Sequence, residues 1–409
     1  MEFIGHFRRL TPVQRNTFIA CFLGWSLDAF DFFILTFCVN AIATQFQTKV
    51  SAVVEAIFIT LAFRPVGAFL FGMMADRFGR RPTLMIDIIA YSVFELSSAF
   101  APSLKVFLIT RALFGIAMGG EWGVGAALAF ETLPAEGRGF FSGVLQEGYA
   151  VGYLMAALVY GTLFRFVGWR GMFVIGALPA FIVIYIRTRV NESPAWAQGR
   201  VSRKEEDRLG KHVLTYLGTF AFLVVLMFAF TSFSHGSQDL YATFLTKDHK
   251  FTPKTVGFIG IIANIGALLG GIVFGTWSEK LGRRKAIVIA ALLTIPLIPL
   301  WAHSHTVPML ALGGFLMQVM VQGAWGVVPP HLNELSPAAV RGTFPGLAYQ
   351  LGNLLSSRNG VLQAKLAEQR YGGVFGPALA WTVLIVALLL AVVTGSGRER
   401  KGTDLSNTS

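Results

Sequence analysis

The chain of 409 residues is 54% hydrophobic and 14% charged, with a mean hydropathy of +0.61. Soluble globular domains carry about 25% charged residues, so this composition excludes a soluble domain and describes an integral membrane protein. The net charge of +12 does not indicate nucleic acid, because the basic residues sit in short loops between apolar segments, which is the membrane-surface charge bias. The two cysteines, Cys21 and Cys38, fall together in the first apolar segment. They imply neither a disulfide framework nor a metal site.

At about 20 residues per span, the apolar segments predict twelve transmembrane helices, at 16–43, 52–74, 83–101, 104–129, 138–163, 168–187, 212–239, 254–277, 285–302, 307–329, 341–365 and 373–395. The first is too long for a signal-peptide core and is read as a retained helix. The expected fold class is an all-α membrane protein of two six-helix bundles: an N-terminal bundle over 1–187, a linker over 188–211, and a C-terminal bundle with a short tail over 212–409. The linker carries Arg200, Arg203, Lys204, Glu205, Glu206, Asp207 and Arg208 and reads as partly helical. Most of the 34 Lys and Arg residues fall on the side of the N-terminus, the even-to-odd loops and the C-terminus. The positive-inside bias therefore predicts that both termini are cytoplasmic.

An internal repeat organises the spans. Gly72-Met-Met-Ala-Asp76-Arg77-Phe-Gly79-Arg80-Arg81 recurs as Gly275-Thr-Trp-Ser-Glu279-Lys280-Leu-Gly282-Arg283-Arg284, an offset of 203 residues. The same offset aligns Gly120–Gly123 with Gly323–Gly326, and Glu131, Pro134, Arg138 and Gly139 with Glu334, Pro337, Arg341 and Gly342. Three matches at one offset indicate duplicated halves. Six spans per half make those halves parallel, related by an axis along the membrane normal.

The two glycine–acid–basic loops resemble the signature loops of the major facilitator superfamily. Arg111-Ala-Leu-Phe-Gly115 is similar to that superfamily's fourth-helix arginine motif. The resemblance covers nearly the whole chain and implies alternating access by two rocking bundles. The charges at these loops can pair across the halves in one state and part in the other. Asp76, Arg138, Glu279 and Arg341 are expected to form a cytoplasmic latch that favours the outward-open state, with Arg77, Arg80, Arg111 and Arg283 as further gating residues.

Ionisable groups inside spans are costly in hydrocarbon and mark function. The acids there are Asp28, Asp31, Asp87, Glu95, Glu121, Glu147 and Asp239, nearly all in the first half. Asp28 and Asp31, three apart, share one helical side. Two carboxylates so close should not both ionise, which suits proton coupling; Glu121 and Asp239 join them as coupling candidates. Arg64 lies mid-span before Pro65 and must find an anion: a substrate carboxylate gripped bidentately, or an internal partner among Asp28, Asp31 and Glu121. Tyr149 in the fifth span faces an interior surface. Gln350 and Asn353 in the eleventh span are near neighbours. Arg358, toward the outer end of that span, reads as snorkelling.

The stretch Thr231-x-x-Ser234-His235-x-Ser237-Gln238-Asp239-x-x-x-Thr243 resembles the seventh-helix signature of the Jen-type lactate/pyruvate proton symporters, of the sialate/monocarboxylate group. That family begins its signature with asparagine, where this chain has Thr231. Trp25–Phe33, Gly119–Gly125 and Tyr349–Asn353 are similar to the same group. The resemblance implies substrate or translocation roles for Arg64, His235, Gln238, Asp239, Gln350 and Asn353. The expected function is proton-coupled uptake of a small monocarboxylate such as lactate or pyruvate across a bacterial inner membrane. A sialic acid symporter, or another organic-acid transporter of the same fold, is the alternative. No cofactor is expected, the proton serving as coupling ion. The expected partners are the organic anion and the bilayer, with no nucleic acid, and the protein is expected to be a monomer. The seven scattered histidines give no metal or nucleophile–base spacing, so no enzyme is expected.

Overall fold

The computed structural model describes residues 7–48, 50–202, 215–403 and 405. The charged linker positions Arg203, Lys204, Glu205, Glu206, Asp207 and Arg208 lie outside the described residues. Before them the chain forms a short helix over Pro194–Ser202.

The first half contains α1 (Pro12–Gln45), α2 (Val50–Phe78), α3 (Arg80–Ala99), α4 (Leu104–Thr132), α5 (Arg138–Gln146), α6 (Gly148–Gly176), α7 (Ile182–Arg189) and α8 (Pro194–Ser202). The second contains α9 (Leu217–Gln238), α10 (Tyr241–Lys247), α11 (Pro253–Leu281), α12 (Arg283–Ala302), α13 (Val307–Trp325), α14 (Val328–Leu335), α15 (Phe344–Ser356), α16 (Asn359–Arg370) and α17 (Phe375–Ser396). Local rules set several ends. Thr11 and Gln14 form a reciprocal capping box at α1, with Pro12 at its first position, where a missing N–H costs nothing. Between α2 and α3 the chain turns at Gly79 (φ 115°), and between α11 and α12 at Gly282 (φ 93°). A side chain at either φ is strained, so the signature loop needs its glycine. The next helix is capped from afar in each half. Glu192 accepts from the amides of Arg80 (3.0 Å) and Arg81, and Glu399 from that of Arg284 (2.9 Å). Carboxylates suit a helix N-terminus.

Within the first half α1 packs on α4 and α6, α2 on α4, and α3 on α4; within the second, α11 packs on α13, α12 on α13 and α17, and α9 on α15 and α17. Large apolar side chains such as Leu154, Leu158, Phe166, Ile261 and Val392 remain exposed, as a lipid-facing surface requires. Among the described residues, nine helical segments are long and apolar enough to cross a membrane. The predicted spans missing from that set have physical reasons. The third carries Asp87 and Glu95, and α3 begins ahead of it on Arg80 and Arg81.

The sixth and eleventh predicted spans are corrected: neither is one helix. Non-helical Gly168 (φ 61°) separates the sixth from the fifth at its predicted start, and a 3-10 turn at Leu178–Phe181 interrupts it. The eleventh breaks between Ser356 and Asn359, and Arg358 sits exposed at that junction rather than within a continuous helix. The fifth and tenth spans also break, at Glu147 and at Gly326–Val327, where Pro329 and Pro330 open α14. The seventh ends at Gln238 and continues as the short α10.

The halves meet through α5 against α11 and α2 against α15. These seams are repeat mates, and both are lined by glycine. Gly72 lies on the backbone of Gly342 and Thr343, and Gly143 on that of Gly271 and Ile272. A single methyl group would push the halves apart there.

Candidate functional site

At the end that carries both termini, the seams are locked by a charge lattice with the symmetry of the repeat. Asp76 on α2 accepts from the amide of Gly342 (2.8 Å) and the hydroxyl of Thr343 (2.6 Å), and pairs with Arg80 at 3.1 Å. Its repeat mate Glu279 on α11 accepts from the amide of Gly139 and pairs with Arg283 at 3.1 Å. Arg80 binds Glu131 through two nitrogens, each at 3.1 Å, and Arg283 binds Glu334 at 3.2 and 3.3 Å. Across the halves, Arg138 reaches Glu334 at 3.5 Å and Arg341 reaches Glu131 at 3.7 Å. The chain's end closes the lattice. Thr403 O accepts from Arg138 and Leu405 O from Arg341, both at 3.1 Å, while the Leu405 side chain is buried in the first half's core.

The lattice brings Asp76, Arg80, Arg138, Glu279, Arg283 and Arg341 together and leaves out two residues that sequence reasoning grouped with them. Arg77 is exposed, its guanidinium 5.2 Å from the Phe78 ring. Arg111 belongs to a different cluster, described below. Sequence reasoning did not select Glu131 and Glu334, although they shared the repeat offset with Arg138 and Arg341. Buried ion pairs gain little net stability, but stripping one partner costs about 3–5 kcal/mol. Such a lattice therefore specifies which arrangement of the halves is occupied.

Deeper in the first half lie five buried carboxyls, Asp28, Asp31, Asp87, Glu95 and Glu121, and two buried guanidiniums, Arg64 and Arg111. Arg64 pairs with Asp28 at 3.3 Å. Glu95 pairs with Arg111, which also sits 3.8 Å over the Phe114 ring. Asp31 turns toward Glu95, the two carboxyls meeting at the face of Gly176. The expected mutual pair of Asp28 and Asp31 is thus divided between two arginine clusters, because three residues along a helix also separate side chains around it. Among the described residues the carboxyl oxygens of Asp31, Asp87 and Glu121 have no hydrogen-bond partner. Glu121 is accommodated by Gly24, where an added Cβ would strike its oxygen. The repeat mates of these seven residues in the second half are Thr231, Ser234, Ala290, Ile298, Ala324, Ala267 and Gly314, so the charge cluster has no counterpart there.

Away from the closed end the halves leave a polar, accessible region. His235 Nδ1 lies 3.1 Å from both Asp239 carboxylate oxygens, with the two side chains 37% and 41% exposed. Asn353 lies beside the same imidazole. Asp239 is also the residue that ends α9, so this is a helix terminus as well as a polar cluster. Gln238 donates to Gln318 on α13 (3.0 Å), a partner that sequence reasoning missed. Thr231 donates to Gly352 O (3.0 Å), fixing α9 to α15. Gln350 is buried with its Nε2 unpartnered among the described residues. Tyr149 is 37% exposed and packs on Trp25 (ring centroids 5.6 Å apart) and Phe33 (5.2 Å). These exposed polar side chains outline the space between the halves, called the cavity below. Tyr149 stands at it from one half and His235, Asp239, Asn353 and Tyr349 from the other, while Arg64 and Asp28 are buried (5% and 0% exposed). Among the described residues no group of three His, Cys, Asp or Glu side chains is placed to hold a metal ion.

Two repeated helical halves, locked together at one end by matched charges, have the fold of a major facilitator transporter, and this family of proteins is not enzymatic. The chain belongs to the sugar (and other) transporter family, whose model matches residues 16–215 and 214–393. It is 28% identical to a carboxylic acid transporter protein homolog of Saccharomyces cerevisiae, over 99% of this chain and 71% of that protein. It is 30% identical to a probable 4-methylmuconolactone transporter of Cupriavidus pinatubonensis, over 93% and 91%, and 27% identical to a sialic acid transporter of Escherichia coli, over 95% of both. Among solved structures, a proton:xylose symporter superposes with a TM-score of 0.77 at 19% identity, covering 97% of this chain and 98% of that one. That likeness speaks to the fold.

Proposed function

We propose that this protein takes up a small organic monocarboxylate, lactate or pyruvate being the simplest, together with a proton. The carrying observation is Arg64: a buried guanidinium neutralised by a single contact with Asp28. A substrate carboxylate competes for that guanidinium and binds it bidentately. Asp28, once displaced, is a buried carboxylate without a cation, and taking up a proton removes that cost. Substrate and proton together therefore leave the first half's interior neutral, the condition for moving it past hydrocarbon. Five carboxyls against two guanidiniums give the same half a reservoir of proton sites, with Asp31 and Glu121 beside Asp28. His235 and Asp239 border the cavity from the other half as a relay.

With both termini placed in the cytoplasm by the positive-inside bias, the closed lattice faces inward and the cavity opens outward. The protein is then ready to receive substrate from outside as an inner-membrane monomer. The relatives named for carboxylic acid and sialic acid transport support an organic acid as cargo. Sialic acid is the second reading, favoured by the amide pair Gln238–Gln318, which suits a polyhydroxylated body. Proteoliposome uptake of labelled lactate, pyruvate and sialic acid, with and without an imposed pH gradient, tests the proposal. An outside-acidic gradient that has no effect on accumulation removes proton coupling, and uptake unaltered in Arg64→Lys removes the carboxylate site.

A further inference from the structure

Residues 342–353 meet the first half in steps that lead from the closed end to the cavity. At the closed end the Gly342 amide and the Thr343 hydroxyl bind Asp76 of α2. One turn on, Gly346 packs against Gly123 of α4, where a Cβ on Gly123 would fall 2.7 Å from the Gly346 Cα. Three residues further, the Tyr349 ring lies on that of Trp122, also of α4, with centroids 4.7 Å apart. One turn beyond, Asn353 is half-buried at the cavity. Burial changes along the same line: residues 341–346 are all buried, and Tyr349 is half-buried. The Trp122–Tyr349 contact therefore stands where the locked seam ends and the cavity begins.

Each ring is fixed to its own half. Trp122 Nε1 donates to Gln146 Oε1 at 3.0 Å, at the end of α5 beside the break at Glu147. Tyr349 packs edge-on against Trp325 (centroids 5.8 Å apart, planes at 79°), the last residue of α13. Trp122 and Trp325 are repeat mates, and so are Gln146 and Tyr349, both at the 203-residue offset. Both halves thus build the same tryptophan-centred corner. Where the first half places an amide, the second places a tyrosine, and its ring also covers the opposite tryptophan.

We propose that Tyr349 is the inner gate of the transport path: closed on Trp122, its ring seals the cavity from the closed end, and rocking of the halves parts the two rings before cargo passes. The glycine pair on its closed-end side offers no side chain to bar the way, and the charge lattice lies further off still. Because each ring rides on its own half, the gate opens with the movement of the halves and not by a side-chain flip. An aromatic pair suits this task, since its attraction depends on close ring-to-ring geometry and is lost once the rings separate. The assignment goes beyond the choice of cargo and holds for any substrate.

The test measures, in the purified full-length protein with no acid present, how fast a hydrophilic thiol reagent labels a cysteine placed in the α5–α11 seam. Cys21 and Cys38 are buried and give a common background. Tyr349→Leu is expected to raise the rate by about 2- to 12-fold, the range one aromatic pair contributes. Trp122→Leu should do the same, and the double variant should exceed neither, because residues in contact share one effect. Tyr349→Phe keeps the ring and should keep the unaltered rate. None of the leucine variants should speed labelling of a cysteine placed beside His235 at the cavity, whereas a loosened fold would speed both. Tyr349→Gln, the residue type of the repeat mate, repeats the measurement should Trp122→Leu fail to fold. The inference is overturned by a Tyr349→Leu rate equal to that of the unaltered protein, a rise shared by Tyr349→Phe, multiplied effects in the double variant, or faster labelling at both ends. No acid enters the assay, so each of these results leaves the carboxylate reading where it stood.

Discussion

The two halves are near copies where they close and unlike where they carry charge through the membrane. At the closed end the main ion pairs and backbone contacts come in repeat-related couples: Asp76 to Gly342 matches Glu279 to Gly139, Arg80–Glu131 matches Arg283–Glu334, and Arg138–Glu334 matches Arg341–Glu131. In the interior the first half holds Asp28, Asp31, Arg64, Asp87, Glu95, Arg111 and Glu121, and the second offers only neutral side chains or glycine at the matching positions. A rocking motion about a pseudo-symmetry axis needs its gate to be balanced on both sides. A coupling site has no such need, and one half alone can specialise in it. The comparison therefore separates the machinery of movement from that of chemistry.

The asymmetric part should break hardest. Arg64→Ala leaves Asp28 buried and unpaired and removes the substrate's anchor. Uptake of monocarboxylate should fall by at least about 100-fold, the size set by about 3–5 kcal/mol for a stripped buried pair. Arg64→Leu combined with Asp28→Leu should recover thermal stability without recovering uptake; recovered uptake would place the carboxylate elsewhere.

The symmetric part should break evenly. Glu131→Gln and Glu334→Gln each weaken one corner of the lattice. Both should shift the population toward opening at the termini end by about 10-fold, within the range of a typical coupling free energy. Labelling of a cysteine placed in the α5–α11 seam in each variant reads the shift. Effects differing by more than tenfold between the two would show that the gate is not shared equally. Thr231→Val, which deletes the hydrogen bond to Gly352 O but keeps the shape, should cost about 1 kcal/mol of stability and leave the gate untouched. The smallest effect should come from Arg77→Gln. Despite its place in the signature loop, Arg77 lies outside the lattice, and a change there should stay within about 0.5 kcal/mol. A large loss in transport would return Arg77 to the gate.

The repeat and the helical spans were legible because hydropathy and the 203-residue offset are properties of the chain itself. That Asp76 and Glu279 are repeat mates was legible for the same reason. What escaped depended on contacts between distant segments. Hydropathy averages over a span, so it does not register a break at Glu147 or Ser357–Arg358. Arg111 finds Glu95 across two helices, and no periodicity links positions so placed. Gln318 carries no motif and matters only because α13 presents it to Gln238. Asp28 and Asp31 looked like partners along the helix, whereas rotation about its axis gives each a different arginine cluster. Glu131 and Glu334 are the instructive case: their repeat match was visible, yet only the fold shows that they join the two halves.

The central claim is that Arg64 and Asp28 of the first half couple acid to proton. It is tested most directly by recording external pH and labelled acid uptake together in liposomes of the purified protein. The account predicts that adding the acid alkalinises the outside in step with uptake, and that Asp28→Asn retains acid binding but abolishes the alkalinisation. Acid uptake without proton movement in the unaltered protein, or alkalinisation that survives in Asp28→Asn, would contradict it.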